Sequence, residues 1–236
     1  MARRSVCLFC SAVENLPAAA RSLAADFGAA CAGRGLRLVY GGSGRGLMGI
    51  AARAAAAAGG EVLGIMPRHL IRPERAAADL GTLKIVESLA ERKQLMTESA
   101  DLFVALPGGI GTLDELLEML TMNDLGLQDK PVILCASDGF WQPFVAMIER
   151  FGAYGVLRSS VERRLRAAAS VEEAMRLIED YLSSAAQGTQ AAASRSVYFF
   201  SRARSSGDRV MASEAIGRAF DSRRARQIPP HSDTVK

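Results

Sequence analysis

Between Leu102 and Met119 the chain reads Leu-Phe-Val-Ala-Leu-Pro-Gly-Gly-Ile-Gly-Thr-Leu-Asp-Glu-Leu-Leu-Glu-Met, an order of residues that few folds accommodate. The unbroken apolar run Leu102 to Leu106 has the pattern of a strand buried on both faces, as in a parallel sheet. Pro107 stops it, and Gly108, Gly109 and Gly111 permit a tight turn whose backbone another molecule can approach closely. Thr112 has the character of a helix N-cap. Leu113, Leu116, Leu117 and Leu120 follow at helical spacing, with Asp114 and Glu115 expected in the first turn, where acids suit the helix dipole. Strand, glycine turn and helix start together make a place to hold an anion.

The rest of the chain repeats this alternation. Strands are expected at Val6 to Cys10, Leu36 to Tyr40, Val62 to Met66, Leu83 to Val86 and Pro131 to Cys135. Helices are expected from Pro17 to about Ala32, through the small residues up to Ala58, at Glu91 to Ala100, at Phe140 to Phe151 and at Val171 to Leu182, with Ser170 as the last N-cap. Strands alternating with helices, without hairpin signals, predict an α/β fold with a mostly parallel sheet covered on both faces. In such sheets ligands bind beyond the carboxyl ends of the strands, and both glycine loops open there.

A formal charge of +4 over 236 residues suggests a basic protein, but residues 184–236 alone carry +5 and the remainder −1. The chain is therefore read as a folded domain over 1–183 and a basic, flexible tail over 184–236, interrupted by the apolar island Val197 to Phe200. The tail is either a disordered extension or an arm attracted to a polyanion. Four cysteines, Cys7, Cys10, Cys31 and Cys135, do not make a disulfide framework in a chain of this length, and a reducing, cytoplasmic compartment is expected. Cys7 and Cys10 lie three apart in a strand and face opposite sides of the sheet, which speaks against a zinc or redox pair. No run approaches the roughly 18 apolar residues of a membrane span, so no membrane partner is expected.

Two loops can carry chemistry. Gly41-Gly42-Ser43-Gly44-Arg45-Gly46-Leu47-Met48-Gly49 contains one Gly-x-Gly-x-x-Gly match, at Gly44, Gly46 and Gly49, and no Walker lysine. Its glycines, Gly41 and Gly42 included, either make a tight β–α connection or admit a ligand. In the second loop, amides of the glycine turn and the first helical residues can hold a monophosphate, favoured by about 0.3–2 kcal/mol of dipole interaction. Glu115 lies beside that site, either as an acid serving the dipole or as a group able to touch an attached ribose.

The motifs Gly41-Gly42 through Gly49, Glu91-Arg92-Lys93-x-x-Met96, and Pro107-Gly-Gly-Ile-Gly-Thr-Leu-Asp-Glu115 resemble, in order and spacing, the LONELY GUY family of cytokinin riboside 5′-monophosphate phosphoribohydrolases, long labelled "lysine decarboxylase-like". The resemblance covers residues 5 to about 182. It implies a Rossmann-like, doubly wound homodimer without cofactor or metal. The reaction it implies is hydrolysis of the N-glycosidic bond of a nucleoside 5′-monophosphate to free base and ribose 5-phosphate. The family's catalytic arginine and glutamate fall on Arg92 and Glu115. Its substrate contacts fall on Glu74, Lys93, the segment Gly108, Gly109, Ile110, Gly111, Thr112, Leu113 and Asp114, and on Thr121.

The chemistry is sensible for these residue types. Glycosidic cleavage passes through an oxocarbenium-like state that a carboxylate can stabilise while orienting or deprotonating water. Arg92 stays protonated, so it anchors oxygens and holds Glu115 ionised. Lys93, about 100° round a helix from Arg92, either reaches the same site or serves a subunit contact. The chain departs from the family pattern at Leu89-Ala90, at Met122-Asn123-Asp124 and at Phe9-Cys10-Ser11-Ala12. A lost aromatic and a new acid near the pocket are expected to alter the preferred base. The alternative is a nucleotide sensor of the same fold with little or no turnover. Decarboxylation would need pyridoxal phosphate on a lysine, and Lys84, Lys93 and Lys130 sit in no such context.

Overall fold

The computed structural model describes residues 3–71 and 80–186. Seven strands form one fully parallel sheet: β1 (Ser5–Phe9), β2 (Arg37–Tyr40), β3 (Val62–Pro67), β4 (Thr82–Val86), β5 (Leu102–Ala105), β6 (Val132–Cys135) and β7 (Leu165–Ala168), in the order β4-β3-β2-β1-β5-β6-β7. The helices are α1 (Ala18–Gly33), α2 (Gly46–Ala57), α3 (Leu89–Glu98), α4 (Ile110–Asp124), α5 (Gln142–Tyr154), α6 (Ser159–Arg164) and α7 (Val171–Ala186). This is the doubly wound, Rossmann-like α/β architecture expected from the alternation and the resemblance.

Each central strand feeds two cores, because successive side chains point to opposite faces. Val6, Leu8 and Cys10 pack with α1, α2 and α7, while Cys7 and Phe9 pack with α3, α4, α5 and α6. The two cysteines of the C-x-x-C therefore lie in different cores. All four cysteines are free and buried, and burial pushes the Cys7 and Cys10 thiols well above their ordinary range.

Several boundaries differ from the sequence expectations. α3 starts two residues before Glu91, because the Ser88 hydroxyl accepts from the Glu91 amide while the Glu91 carboxylate accepts from the Glu87 amide. α7 continues to Ala186, past the boundary expected at 183. β7 went unread because Leu-Arg-Ala-Ala carries no β-branched or aromatic residue; pairing with Val132–Cys135 makes it a strand. The tail beyond 186, with Val197 to Phe200, lies outside the described residues. Among the described residues no helix is long and apolar enough to cross a membrane.

Sheet order places the site. β1 leads outward to β2, β3 and β4, and β5 returns on its other side before β6 and β7. The switch point therefore lies at the carboxyl ends of β1 and β5, where ligands of open α/β sheets bind. The two strand ends are tied there by the Ser11 amide, which donates to the Pro107 carbonyl at 3.2 Å.

Candidate active site

The glycine turn enters α4 earlier than the sequence suggested. Gly109 is the N-cap, with no side-chain cap bond, and Ile110 is already helical. Thr112 is thus the third helical residue rather than the cap. It is buried, and its hydroxyl occupies the space a Cβ on Gly108 would need, 2.1 Å away. Asp114 and Glu115 consequently lie beyond the first turn, so the reading of Glu115 as a dipole-serving acid falls. The opening amides of α4 have no intrahelical acceptors. Ile110, at the start of the helix, is 82% exposed.

Glu115 points inward and is 4% exposed. Its Oε1 pairs with Nη1 of Arg92 at 2.9 Å, the Arg92 side chain being 11% exposed. Arg92 reaches this position from α3 across the carboxyl ends of β3 and β2. Its Nε donates to the Ile65 carbonyl at 3.1 Å, and its Nη2 lies 1.9 Å from where a Cβ on Gly41 would stand. The glycine at 41 therefore leaves the space that the Arg92 guanidinium occupies. Gly42 has a left-handed φ of 76° beneath Met66 and Leu83, which turns the chain over β3.

Burial is the largest influence on Glu115 and pushes its carboxyl up to about 7; Arg92 opposes the rise, Asp114 adds to it and Lys93 opposes it. A carboxylate poised near neutrality beside a permanent cation suits proton transfer or charge stabilisation.

The structure brings Gly41, Gly42, Arg92, Lys93 and the segment Gly108 to Glu115 together at one edge. Lys93 does reach α4, but its ammonium sits between Asp114 at 3.0 Å and Glu118 at 2.5 Å. Leu113 turns its side chain into the core of α3 to α6. Thr121 stands apart: six residues beyond Glu115, it lies about 9 Å further along the helix axis and on an exposed face. Glu74 lies outside the described residues.

The departures from the family pattern also find their places. The Asp124 carboxylate accepts from the Arg158 amide at 3.1 Å, and the Arg158 guanidinium donates to the Asp124 carbonyl at 2.9 Å. Met122 packs half-buried on the core, and Asn123 donates to the Lys130 carbonyl. These residues anchor the chain before α6 and β6. Sequence reasoning missed the Ile65 carbonyl, which no side-chain pattern could reveal. It also missed Glu118, which the i, i+4 spacing from Asp114 could have revealed.

Fold and site together define a Rossmann-like α/β protein whose buried Arg92–Glu115 pair and glycine turn lie at the switch point of its sheet. The chain belongs to the family described as "possible lysine decarboxylase", matched over residues 48–178, the LONELY GUY family of the resemblance. It is 38% identical over 176 residues to a cytokinin riboside 5′-monophosphate phosphoribohydrolase of Rhodococcoides fascians, covering 74% of this chain and 89% of that one. It is 36% identical over 179 residues to the cytokinin riboside 5′-monophosphate phosphoribohydrolase LOG of Oryza sativa subsp. japonica, covering 76% and 74%. Among solved structures, the molybdenum cofactor carrier protein of Chlamydomonas reinhardtii shares the fold, with a TM-score of 0.61 at 21% identity, covering 77% of this chain and 99% of that one.

Proposed function

We propose that this chain hydrolyses the N-glycosidic bond of a purine nucleoside 5′-monophosphate, releasing free base and ribose 5-phosphate. The observation that carries this reading is the buried Arg92–Glu115 ion pair at 2.9 Å beside the open glycine turn at the start of α4. The similar proteins from R. fascians and rice, named for hydrolysis of cytokinin riboside 5′-monophosphate, support the same substrate class.

The turn and the first amides of α4 hold the 5′-phosphate, with Gly41 and Gly42 lining the opposite wall. The ribose then lies over Glu115. As the bond between C1′ and the base nitrogen breaks, the ionised carboxylate stabilises the positive charge developing on the sugar. It orients the water whose oxygen attacks C1′ and accepts the water's proton, while the base departs with the bonding electrons and takes up a proton from solvent, to which Glu115 returns its own. Arg92 keeps Glu115 ionised against burial, and the rest of its planar fork reaches ribose or phosphate oxygens. Glu115 works as the carboxylate, so kcat/KM rises with pH through about 7 and falls on the acid side as the carboxyl is protonated. A pH–rate profile flat from pH 5 to 8 would contradict that role.

The deciding experiment incubates the purified protein with AMP and with isopentenyladenosine 5′-monophosphate and follows free base by chromatography. Base is expected from at least one, and Glu115→Gln is expected to abolish nearly all turnover while still binding nucleotide. Absence of base from a panel of purine monophosphates would overturn the reading in favour of a nucleotide-binding sensor. The protein is further proposed to be a cytoplasmic homodimer, for which exposed Ile85, Leu89 and Leu117 on β4, α3 and α4 offer apolar surface, and to carry its activity within residues 1–186. Sedimentation of the full chain, and assay of a chain truncated after Ala186, test these two points.

A further inference from the structure

Arg92 and Lys93 are neighbours on α3, and Asp114 and Glu115 are neighbours on α4. Neighbours diverge by about 100° around a helix, so the two pairs meet on two different faces of the α3–α4 contact. On the inner face Arg92 holds Glu115. On the outer face the Lys93 ammonium straddles Asp114 and Glu118, which lie one turn apart, at 3.0 and 2.5 Å. The Lys93 side chain is 20% exposed, against 35% for Glu118 and 61% for Asp114, so water screens the Glu118 arm of the clamp less than the Asp114 arm. The next polar link along α3 is weaker: the Thr97 hydroxyl donates to the Lys93 carbonyl at 2.8 Å and approaches the Met119 sulfur at 3.4 Å.

We propose that Lys93 is a positioning residue for hydrolysis: by clamping Asp114 and Glu118 it sets the register of α4 against α3, and so the alignment of Glu115 with Arg92. A slip of α4 that kept the apolar packing would carry Asp114, Glu118 and Glu115 together. The outer clamp and the inner ion pair therefore resist the same displacement. The Lys93 charge also faces that of Asp114, and the two act on Glu115 in opposite directions, Asp114 raising and Lys93 lowering its proton affinity. Arg92 from α3 also lowers the proton affinity of Glu115, and Glu115 in turn raises that of the buried thiols of Cys7, in β1 on the α4 side of the sheet, and Cys10, just beyond β1.

This inference rests on Glu115 and Arg92 carrying the reaction, so Glu115→Gln is assayed alongside. Lys93→Met is expected to lower kcat by about tenfold to a hundredfold through misalignment of Glu115, with little change in KM. It is also expected to move the acid limb of the pH–rate profile to higher pH, since the lysine no longer offsets Asp114. Glu118→Gln, which loosens one arm of the clamp and leaves the site intact, is expected to lower kcat by a smaller factor at unchanged KM. If Lys93 instead bound substrate, Lys93→Met would raise KM and leave kcat little changed. Releasing the ammonium through Glu118→Gln would then lower KM. Either result overturns the proposal. Turnover retained by Glu115→Gln would sink the underlying catalytic reading, whereas a wild-type profile for Lys93→Met beside an inactive Glu115→Gln would sink only the positioning role. Should Lys93→Met fail to fold, the kcat and KM of Glu118→Gln decide alone.

Discussion

The two glycine loops at the carboxyl edge look alike in sequence and differ in what their glycines are for. In the loop from Gly41 to Gly49, the protein's own atoms fill the space a side chain would take. A Cβ on Gly41 meets Arg92, and one on Gly49 would stand 1.9 Å from the Gly44 carbonyl oxygen. In the loop from Gly108 to Gly111, only Gly108 is so constrained, by Thr112. Gly109 and Gly111 have no left-handed φ and nothing within 4 Å of a would-be Cβ. Folding explains the first set of glycines and leaves these two unexplained. Under the proposed function, a glycine that the chain itself does not require, at the open start of a helix, is where the nucleotide phosphate approaches the backbone.

Substitutions break or sharpen this contrast. The largest effect is expected from Gly49→Ala, because the obstructing atom is backbone and cannot step aside; it should cost at least about 2–3 kcal/mol of stability, read as a fall in chemical-denaturation midpoint. Gly41→Ala should disturb folding less, since a side chain can move. It should displace Arg92 and reduce kcat by about a hundredfold in the chromatographic assay. Gly111→Ala is expected to leave stability unchanged or raise it by up to about 1 kcal/mol, since alanine suits a helix better than glycine. Its cost should appear as a higher KM for the nucleotide. If Gly111→Ala binds nucleotide normally, or Gly49→Ala folds normally, the division between structural and ligand-facing glycines fails. The smallest effect is expected from Asp124→Asn, which keeps an acceptor for the Arg158 amide. It should shift stability by no more than about 0.5 kcal/mol and leave the ratio of rates on AMP and isopentenyladenosine 5′-monophosphate unaltered.

Much of the site was legible because its modules are local. The apolar run Leu102 to Leu106, the break at Pro107 and the helical leucines from Leu113 each follow from side-chain pattern within a few residues. Sheet character was legible for the same reason, through strands alternating with helices. The start of α4 was misplaced because no side chain caps it: Gly109 serves, and the burial of Thr112 against Gly108 decides where the helix begins. The contact of Asp124 with Arg158 could not be read from sequence, because the two lie 34 residues apart.

By itself the sequence determined most of the strands and helices, though not α6 and β7, that a glycine turn feeds a helix N-terminus, and, through its motifs, the family. Only the tertiary structure decided that Arg92 and Glu115 meet, that Gly41 is the gap the arginine threads, and that Lys93 grips α4 from outside. It also decided the proton affinity of Glu115, which burial raises and Arg92 restrains. The division has a physical cause. Backbone propensity and hydrophobic period act over a few residues, whereas desolvation and ion pairing depend on which distant segments the sheet order brings together.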